Sequence, residues 1–465
     1  SAGQHSESLW ANTSGEDREN APQLRQDERV PELDDVSTSD LLAELKWRGL
    51  VAQTTDAAAL AESLEAGPMG LYCGFDPTAP SLHVGNLVPL LTLRRFQQYG
   101  HRPIALVGGA TGLIGDPSGR ASERVLNSDE VVADWVERIR GQVSSFIELD
   151  GPAAARVVSN LDWTQSLSAI EFLREIGKHF SVNVMLSKES VKTRLNEAGI
   201  SYTEFSYMLL QAYDYLELYR RHDCRLQIGG SDQWGNITAG LDLIRRIEGS
   251  DGPEAHALTV PLVTKADGTK FGKTADGAIW LDPELTPPYA FYQFWLNTDD
   301  RDVEQFLRFF SMQTKEALEA IFSEHNEAPF KRIAQRALAD ELTSLVHGDH
   351  ASEQAAAAGR ALFSGGDLSS IEQDTVAAAL ASAPHSSWKQ EGPDEWPSVV
   401  DLLVTSGLAE SRGAARRTIK EGGAYLNNER IVDESAVAEP SALVHGRWWL
   451  LRRGKKSFAS VEMVR

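Results

Sequence analysis

The sequence predicts an α/β protein: a doubly wound parallel sheet, then a helical domain, then a small α+β domain. Three observations lead there. The apolar run Gly70-Leu71-Tyr72-Cys73-Gly74-Phe75, the helical spacing of Val84, Leu87, Val88 and Leu91, and the run Ile104-Ala105-Leu106-Val107 before Gly108-Gly109 make a β-α-β unit. Such a unit requires parallel strands with the helix on one face of the sheet. Residues 300–365 read as helices, and residues 397–465 combine a short basic helix with a hairpin.

Taken in order, residues 1–36 hold nine acids, three arginines and few large apolar side chains. A segment of that composition buries too little surface to order itself, so an acidic, disordered leader is expected. A first helix is expected from Ser37, with Leu41, Leu42, Leu45 and Leu50 on its apolar side and Ser37, Thr38 or Ser39 as cap. The sheet domain spans residues 37–264. After its first strand, a helix is expected to begin near Leu82, following the stop-and-cap pair Pro80-Ser81. The free N–H groups and positive end of that helix face the loop carrying Thr78 and His83, a position at which phosphates are held. Residues 160–225 read as mostly helical, with Phe172, Leu173, Ile176 and Phe180 at helical spacing. A second apolar run, 258–263, leads through a turn at Asp267-Gly268 to the loop Lys270-Phe271-Gly272-Lys273-Thr274. That loop opens a helical region, 265–365, in which Pro287-Pro288 starts a helix. The Ala- and Ser-rich stretch 366–396 reads as a linker. In the last domain, 397–465, Arg412, Arg416 and Lys420 share one helix face. Gly422-Gly423 ends that helix, and Ala424 to Val432 form a hairpin turning at Asn427-Asn428.

With 465 residues, 42% hydrophobic and 24% charged, the chain has the composition of a soluble protein of about three domains. No apolar run approaches the ~18 residues of a membrane helix, and no secretory pattern opens the sequence, so a cytoplasmic location with no membrane partner is expected. Cys73 and Cys224 offer neither a disulfide framework nor zinc-ligand spacing. A net charge of −22 argues against a nucleic-acid partner, yet residues 397–465 carry eleven Lys/Arg against eight Asp/Glu. A basic tail on an acidic body holds RNA at one chosen surface and repels it elsewhere.

Two loops carry the chemistry. His83-Val84-Gly85-Asn86 sets an imidazole and a small residue at a strand-to-helix turn, although a lone histidine at a helix start is more often a cap. The 270–274 loop sets two lysines and a hydroxyl around a glycine that lets backbone approach a ligand, although two lysines alone are more often a solvated turn. Together the loops resemble the ATP-binding signatures of the class I aminoacyl-tRNA synthetases, His-Ile-Gly-His and Lys-Met-Ser-Lys-Ser. Asn86 stands for the second histidine, and Phe271, Gly272 and Thr274 stand for Met, Ser and Ser. The stretches 72–78, 112–119, Tyr207 to Asp214 and 227–236 narrow the likeness. From about residue 37 to its end the sequence resembles the bacterial-type tyrosyl-tRNA synthetases.

That resemblance implies a Rossmann-like catalytic domain with a dimer-interface insertion within 160–225, an anticodon-facing helical domain and a C-terminal RNA-binding domain. It implies a homodimer that activates L-tyrosine with ATP, releasing pyrophosphate, and then transfers tyrosine to the terminal ribose of tRNA(Tyr). Mg2+ accompanies ATP without a dedicated protein cage. By the same resemblance Thr78, His83, Asn86, Lys270, Lys273 and Thr274 serve the phosphates, with Arg120 and Arg124 as further cations. Arg120 stands where relatives often have Lys. Tyr72 and Asp214 face the phenol hydroxyl, Asp116, Tyr207 and Gln211 the ammonium, and Gln233 the carboxyl group. Cys73, Gly230 and Asp232 face the ribose, Gly74, Asp76 and Gly85 the adenylate, and Arg412, Arg416 and Lys420 the RNA. A tryptophanyl-tRNA synthetase shares this architecture, but the Tyr72 and Asp214 pair argues for a hydroxyl-bearing substrate. A catalytically silent RNA-binding relative has no reason to keep His83, Lys270, Lys273 and Asp214. A P-loop NTPase is excluded because Gly268 and Gly272 have only three residues between them, one short of the phosphate-cradling spacing.

Overall fold

The computed structural model describes residues 38–464 apart from 117–126, 189–190, 193–194, 196–198, 250–251, 253, 270, 275–276, 382, 391, 393–394 and 455–456. The expected leader 1–36 and the cap candidate Ser37 lie outside the described residues. The chain divides into two compact units: residues up to Leu281 with Glu304–Ser323, and Asp282–Val303 with the chain from Glu324 onward.

The first unit is built on a six-stranded sheet. Strands β1 (Gln53–Thr54), β2 (Gly70–Phe75), β3 (Arg102–Val107), β4 (Arg156–Ser159), β5 (Cys224–Gly230) and β6 (His256–Val260) lie in the order β1-β6-β5-β2-β3-β4. Only β1 is antiparallel. Tyr72 stands at the centre, beside Ile104 on one side and Gln227 on the other. From β2 the chain winds outward through β3 and β4, then returns to β5 on the opposite side. That reversal opens a crevice at the carboxyl ends of β2 and β5. Every residue of β2 except Gly74 is buried, the burial expected of a parallel sheet covered on both faces. Gly70 is required where β2 meets the end of the helix Tyr202–His222: a Cβ there would lie 2.6 Å from the carbonyl oxygen of Asp223.

The β-α-β unit is therefore present, but its helix starts differently from the sequence expectation. Ser81 does not cap it; the buried hydroxyl donates to the Leu82 carbonyl and accepts from Gln142. The cap is His83. Its Nδ1 accepts the Gly85 N–H at 3.0 Å while the Asn86 side-chain oxygen accepts the His83 N–H at 3.0 Å, a reciprocal capping box. A 3-10 turn, Val84–Asn86, then leads into the helix Leu87–Gln98.

Residues 160–225 are mostly helical, but the expected stripe is broken. An α turn at Ala169–Glu171 widens to a π-helical turn at Phe172–Ile176 and tightens to 3-10 at Gly177–His179. Changes of winding rotate side chains off a common face. Ile176 is buried and Leu173 is exposed.

One buried cation organises the edge of this unit. Arg48, at the end of the helix Thr38–Arg48, donates to the carbonyls of Arg308, Ser311 and Gln313 and to the carboxylate of Glu44. Arg95 adds a second bond to the Ser311 carbonyl. These carbonyls end the helix Val303–Phe310, where intrahelical partners run out.

In the second unit the helices Pro288–Leu296, Ile333–His347, Asp349–Arg360 and Gln373–Ala381 pack together, and the first opens on Pro288 as expected. The linker expected over 366–396 is not one. Leu368, Ile371, Val376, Ala379 and Leu380 are buried, and His385–Lys389 forms strand β9. Short alanines pack closely against neighbouring helices, so the Ala-rich composition marks tight packing rather than a tether. Strand β9 pairs parallel with β13 (Ser457–Val464) at the edge of a five-stranded sheet. The remaining strands are β10 (Ala424–Leu426), β11 (Glu429–Arg430) and β12 (Trp448–Arg453). The β10–β11 hairpin turns at Asn427 and Asn428, both at positive φ, the backbone that an asparagine pair tolerates.

Replacing Arg48 with Ala takes a buried donor from the carbonyls of Arg308 and Gln313, leaves the Ser311 carbonyl its bond from Arg95, and removes the ion pair of Glu44, which keeps its bond from the Tyr99 hydroxyl. A loss of about 3–5 kcal/mol in unfolding free energy is expected, measured by urea denaturation.

Candidate active site

A cleft of about 740 Å³ opens at the carboxyl ends of β2 and β5. The helix Tyr202–His222 presents Tyr207, Gln211 and Asp214 to it from one face, as the i, i+4, i+7 spacing requires. Strand β2 contributes Tyr72, Cys73 and Gly74, and the loop after it contributes Asp76 and Thr78. Gly230, Asp232 and Gln233 enter from the end of β5, Asp116 from the turn after the helix Thr111–Ile114, and His83, Gly85 and Asn86 from the capping turn.

At the buried end of the cleft Asp214 accepts hydrogen bonds from Asn160 at 3.0 Å and from the Trp163 indole at 2.8 Å. Burial pushes its carboxyl up to about 7, although both of these bonds pull the other way. The Tyr72 hydroxyl is buried with no hydrogen-bond partner among the described residues; burial, then the Asp214 charge, raises its pKa well above the ordinary phenol value. The Oε1 atoms of Gln211 and Gln227 are also buried without partners. Unsatisfied buried polar atoms are costly, and several converging on one cleft are what a polar ligand completes.

From Asp214 a continuous network crosses the site. The Asn160 amide also donates to the Thr111 hydroxyl at 3.0 Å, Thr111 donates to Asp76 at 2.6 Å, and the Tyr207 hydroxyl donates to the other Asp76 oxygen at 2.6 Å. Tyr207 and Asp76 are thus direct partners, although sequence reasoning assigned them to different parts of the substrate. Gln233 likewise donates to Asp116 at 2.7 Å. Burial raises the pKa of Asp232, with the Asp116 charge adding to it, and lifts the Cys73 thiol to about 12, so the thiol is neutral.

The two signature loops are tied by backbone. The Val84 N–H donates to the Ile279 carbonyl at 3.0 Å, the Leu281 N–H to the Leu82 carbonyl at 2.9 Å, and the Ile279 N–H to the Gly272 carbonyl at 3.0 Å. Because His83 Nδ1 is an acceptor from Gly85, the neutral imidazole carries its proton on Nε2. Lys273 and Thr274 form β7, which pairs with β8 (Gly277–Ala278). Lys270, Arg120 and Arg124 lie outside the described residues, as do the side chains of Lys273 and Thr274.

Thr111, Asn160, Trp163 and Gln227 were not anticipated. Thr111 and Asn160 follow the ends of β3 and β4, so the rule that ligands meet parallel strands at their carboxyl ends could have flagged them. Trp163 carries no comparable signal. In the C-terminal part Arg412, Arg416 and Lys420 are exposed along the helix Arg412–Lys420. Arg412 pairs with Asp401 at 2.7 Å and Lys420 with Glu434 at 3.0 Å. Ion pairs this exposed hold their cations weakly.

The family model of tRNA synthetases class I (W and Y) matches residues 64–364, and that of the tyrosine–tRNA ligase SYY-like C-terminal domain matches 379–461. A tyrosine–tRNA ligase from Acidothermus cellulolyticus is 59% identical over 91% of this chain and 99% of its own length. The chain belongs to the class I tRNA synthetases, among the tyrosine–tRNA ligases. The counterpart from Mycobacterium bovis is 57% identical over 91% of the chain and 99% of its own. Among solved structures, a C-terminally truncated mitochondrial tyrosyl-tRNA synthetase from Aspergillus nidulans superposes with a TM-score of 0.64 at 30% identity, covering 70% of this chain and 94% of that one. A tryptophanyl-tRNA synthetase from Encephalitozoon cuniculi superposes at 0.50 with 13% identity, covering 73% and 94%, and shares the fold.

The raised carboxyl of Asp214 sets a pH dependence. The folded protein holds this proton up to about pH 7, whereas the unfolded chain releases it near the ordinary value of 3.8. Between those values the native state binds more protons, so stability falls as pH rises through that window. In the tyrosine-free protein, Asp214→Asn should flatten this slope, read from denaturation midpoints between pH 4 and 8.

Proposed function

We infer that this tyrosine–tRNA ligase makes tyrosyl-adenylate in the cleft at β2 and β5 and then charges tRNA(Tyr). One observation carries the substrate assignment: the unpartnered Tyr72 hydroxyl and the buried Asp214 carboxylate sit together in the cleft. A phenol hydroxyl donates to the carboxylate and accepts from Tyr72, satisfying both. The ammonium is met by the acidic network of Asp116, Asp76 and Tyr207 with the Gln211 oxygen, and Gln233 directs the carboxylate toward the α-phosphorus. Cys73, Gly230 and Asp232 face the ribose.

No covalent enzyme intermediate is needed. The substrate carboxylate oxygen attacks the α-phosphorus of ATP, the bond to the β-phosphate oxygen breaks, and pyrophosphate leaves. The protein aligns the two reactants and stabilises charge spreading onto the leaving group. Thr78 and the Nε2–H of His83 donate from one side, while Lys270, Lys273 and Thr274 close from the other. Arg120 and Arg124 are further cations. Asn86 holds His83 through the capping box. ATP enters as its Mg2+ complex, which adds charge neutralisation at the phosphates.

The active form is a homodimer. Residues 170–195 expose Ile170, Leu173, Val182, Val184, Leu186 and Leu195, far more apolar surface than a short stretch normally leaves in water. The basic face of Arg412, Arg416 and Lys420 holds tRNA phosphates, and the helical region meets the anticodon arm. No helix of the described residues is long and apolar enough to cross a membrane, and a tRNA substrate fits action in the cytoplasm.

Tyrosine should support exchange of labelled pyrophosphate into ATP, and tryptophan should not. Phenylalanine leaves the Tyr72 hydroxyl unpaired, at about 1–3 kcal/mol, and forfeits the hydrogen bond to Asp214, so its exchange should fall on the order of 10²-fold or more. Equal rates with tryptophan would overturn the assignment. A chain ending near residue 383, before β9, should keep exchange and lose most tRNA affinity. In the intact protein that affinity should drop steeply with salt, measured by filter binding.

A further inference from the structure

The phosphate chemistry of the 270–274 loop needs its lysines and its hydroxyl, and nothing in that chemistry calls for an aromatic ring at position 271. Yet Phe271 is packed against two aromatic rings. Its ring stacks on Phe310 with centroids 5.5 Å apart and planes 20° apart, and meets Phe306 edge-on at 5.1 Å. Phe306 and Phe310 are buried, one turn apart on the helix Val303–Phe310. That helix is itself fixed, because Arg48 and Arg95 hold the carbonyls at its end.

The next residue is fixed independently. Gly272 has φ +71°, and a Cβ there would lie 2.9 Å from Val84 Cγ2. Its carbonyl accepts from Ile279, whose own carbonyl accepts from Val84 in the capping turn of His83. Lys273 then pairs across the hairpin with Ala278. Three successive residues are therefore pinned, the first by aromatic packing, the second by contact with the histidine turn and the third by strand pairing.

We propose that Phe271 is a positioning residue for adenylate formation: its ring, packed against Phe306 and Phe310, sets the course of the 271–273 backbone relative to His83, in the loop whose lysines serve the phosphates. This rests on the reading of the loop as the phosphate-binding element. Without the ring the loop keeps its charge and its hairpin but loses the apolar contact that fixes where its backbone starts. The lysines then spend less time where charge develops on the leaving pyrophosphate.

The test compares Phe271→Ala and Phe271→Met with the unaltered protein. Tyrosine-dependent pyrophosphate exchange gives kcat and the KM for ATP, equilibrium dialysis gives tyrosine affinity, and calorimetry gives Tm. Displacements of about an ångström cost on the order of 10²-fold, so Phe271→Ala should lower kcat roughly 10- to 100-fold. Tyrosine affinity should stay within about twofold, and Phe271→Met, which restores an apolar anchor, should recover most of the rate. Phe306→Leu, which leaves the loop sequence intact, should lower kcat in the same direction. Unchanged kcat in Phe271→Ala overturns the proposal, and so does a parallel loss of tyrosine affinity and Tm, which marks a general folding role. If the unaltered protein shows no tyrosine-dependent exchange, the functional reading falls and takes this proposal with it, an outcome distinct from the other two.

Discussion

The candidate active site depends on a short backbone zipper. Leu82 and Val84, at the head of the first crossover helix, bond to Leu281 and Ile279, which arrive only after the whole parallel sheet has been laid down. An isolated bridge between His83 and Trp280 lies in the same seam. Main-chain bonds hold whatever the side chains are, so the two loops keep their mutual placement while their polar groups remain available for a ligand. The crevice at the β2/β5 reversal supplies the space, and the zipper fixes its two walls.

Electrostatics at the other end follow from burial. Asp214 is kept in place by Asn160 and Trp163, and Asn160 passes the arrangement through Thr111 to Asp76 and Tyr207. A shift of any one of these groups changes the partners of the next. An amino-acid ligand in this cleft would therefore meet one connected set of hydrogen bonds, in a region where low polarity strengthens each of them.

Much of this was legible in the chain. The strands at 70–75 and 104–107, the helix opened by Pro288 and the turn at Asn427-Asn428 rest on local patterns, and local patterns survive tertiary packing. The residues that line the cleft were legible for another reason: glycines and polar groups after strands mark the carboxyl edge of a parallel sheet. What escaped notice has non-local causes. Nothing near Arg48 announces carbonyls some 260 positions away, and nothing in Trp163 announces Asp214. The stretch 366–396 misled because small residues serve tethers and tight helix packing alike. At His83 the cap does not use up the imidazole, since its Nδ1 caps the helix and thereby leaves the proton on Nε2.

The parallel pairing of β9 with β13 has a consequence for synthesis. His385 lies opposite Ser460 and Lys389 opposite Val464, so the strand that opens the C-terminal sheet finds its partner only 75 positions later in the chain. While the ribosome is translating, β9 must wait with an unpaired edge, and closure of that sheet is postponed until β13 has left the exit tunnel. Contacts between such distant segments form slowly. The surface that carries the basic helix is in this way tied to synthesis of β13, and a chain terminated before Ser457 lacks the strand needed to finish it.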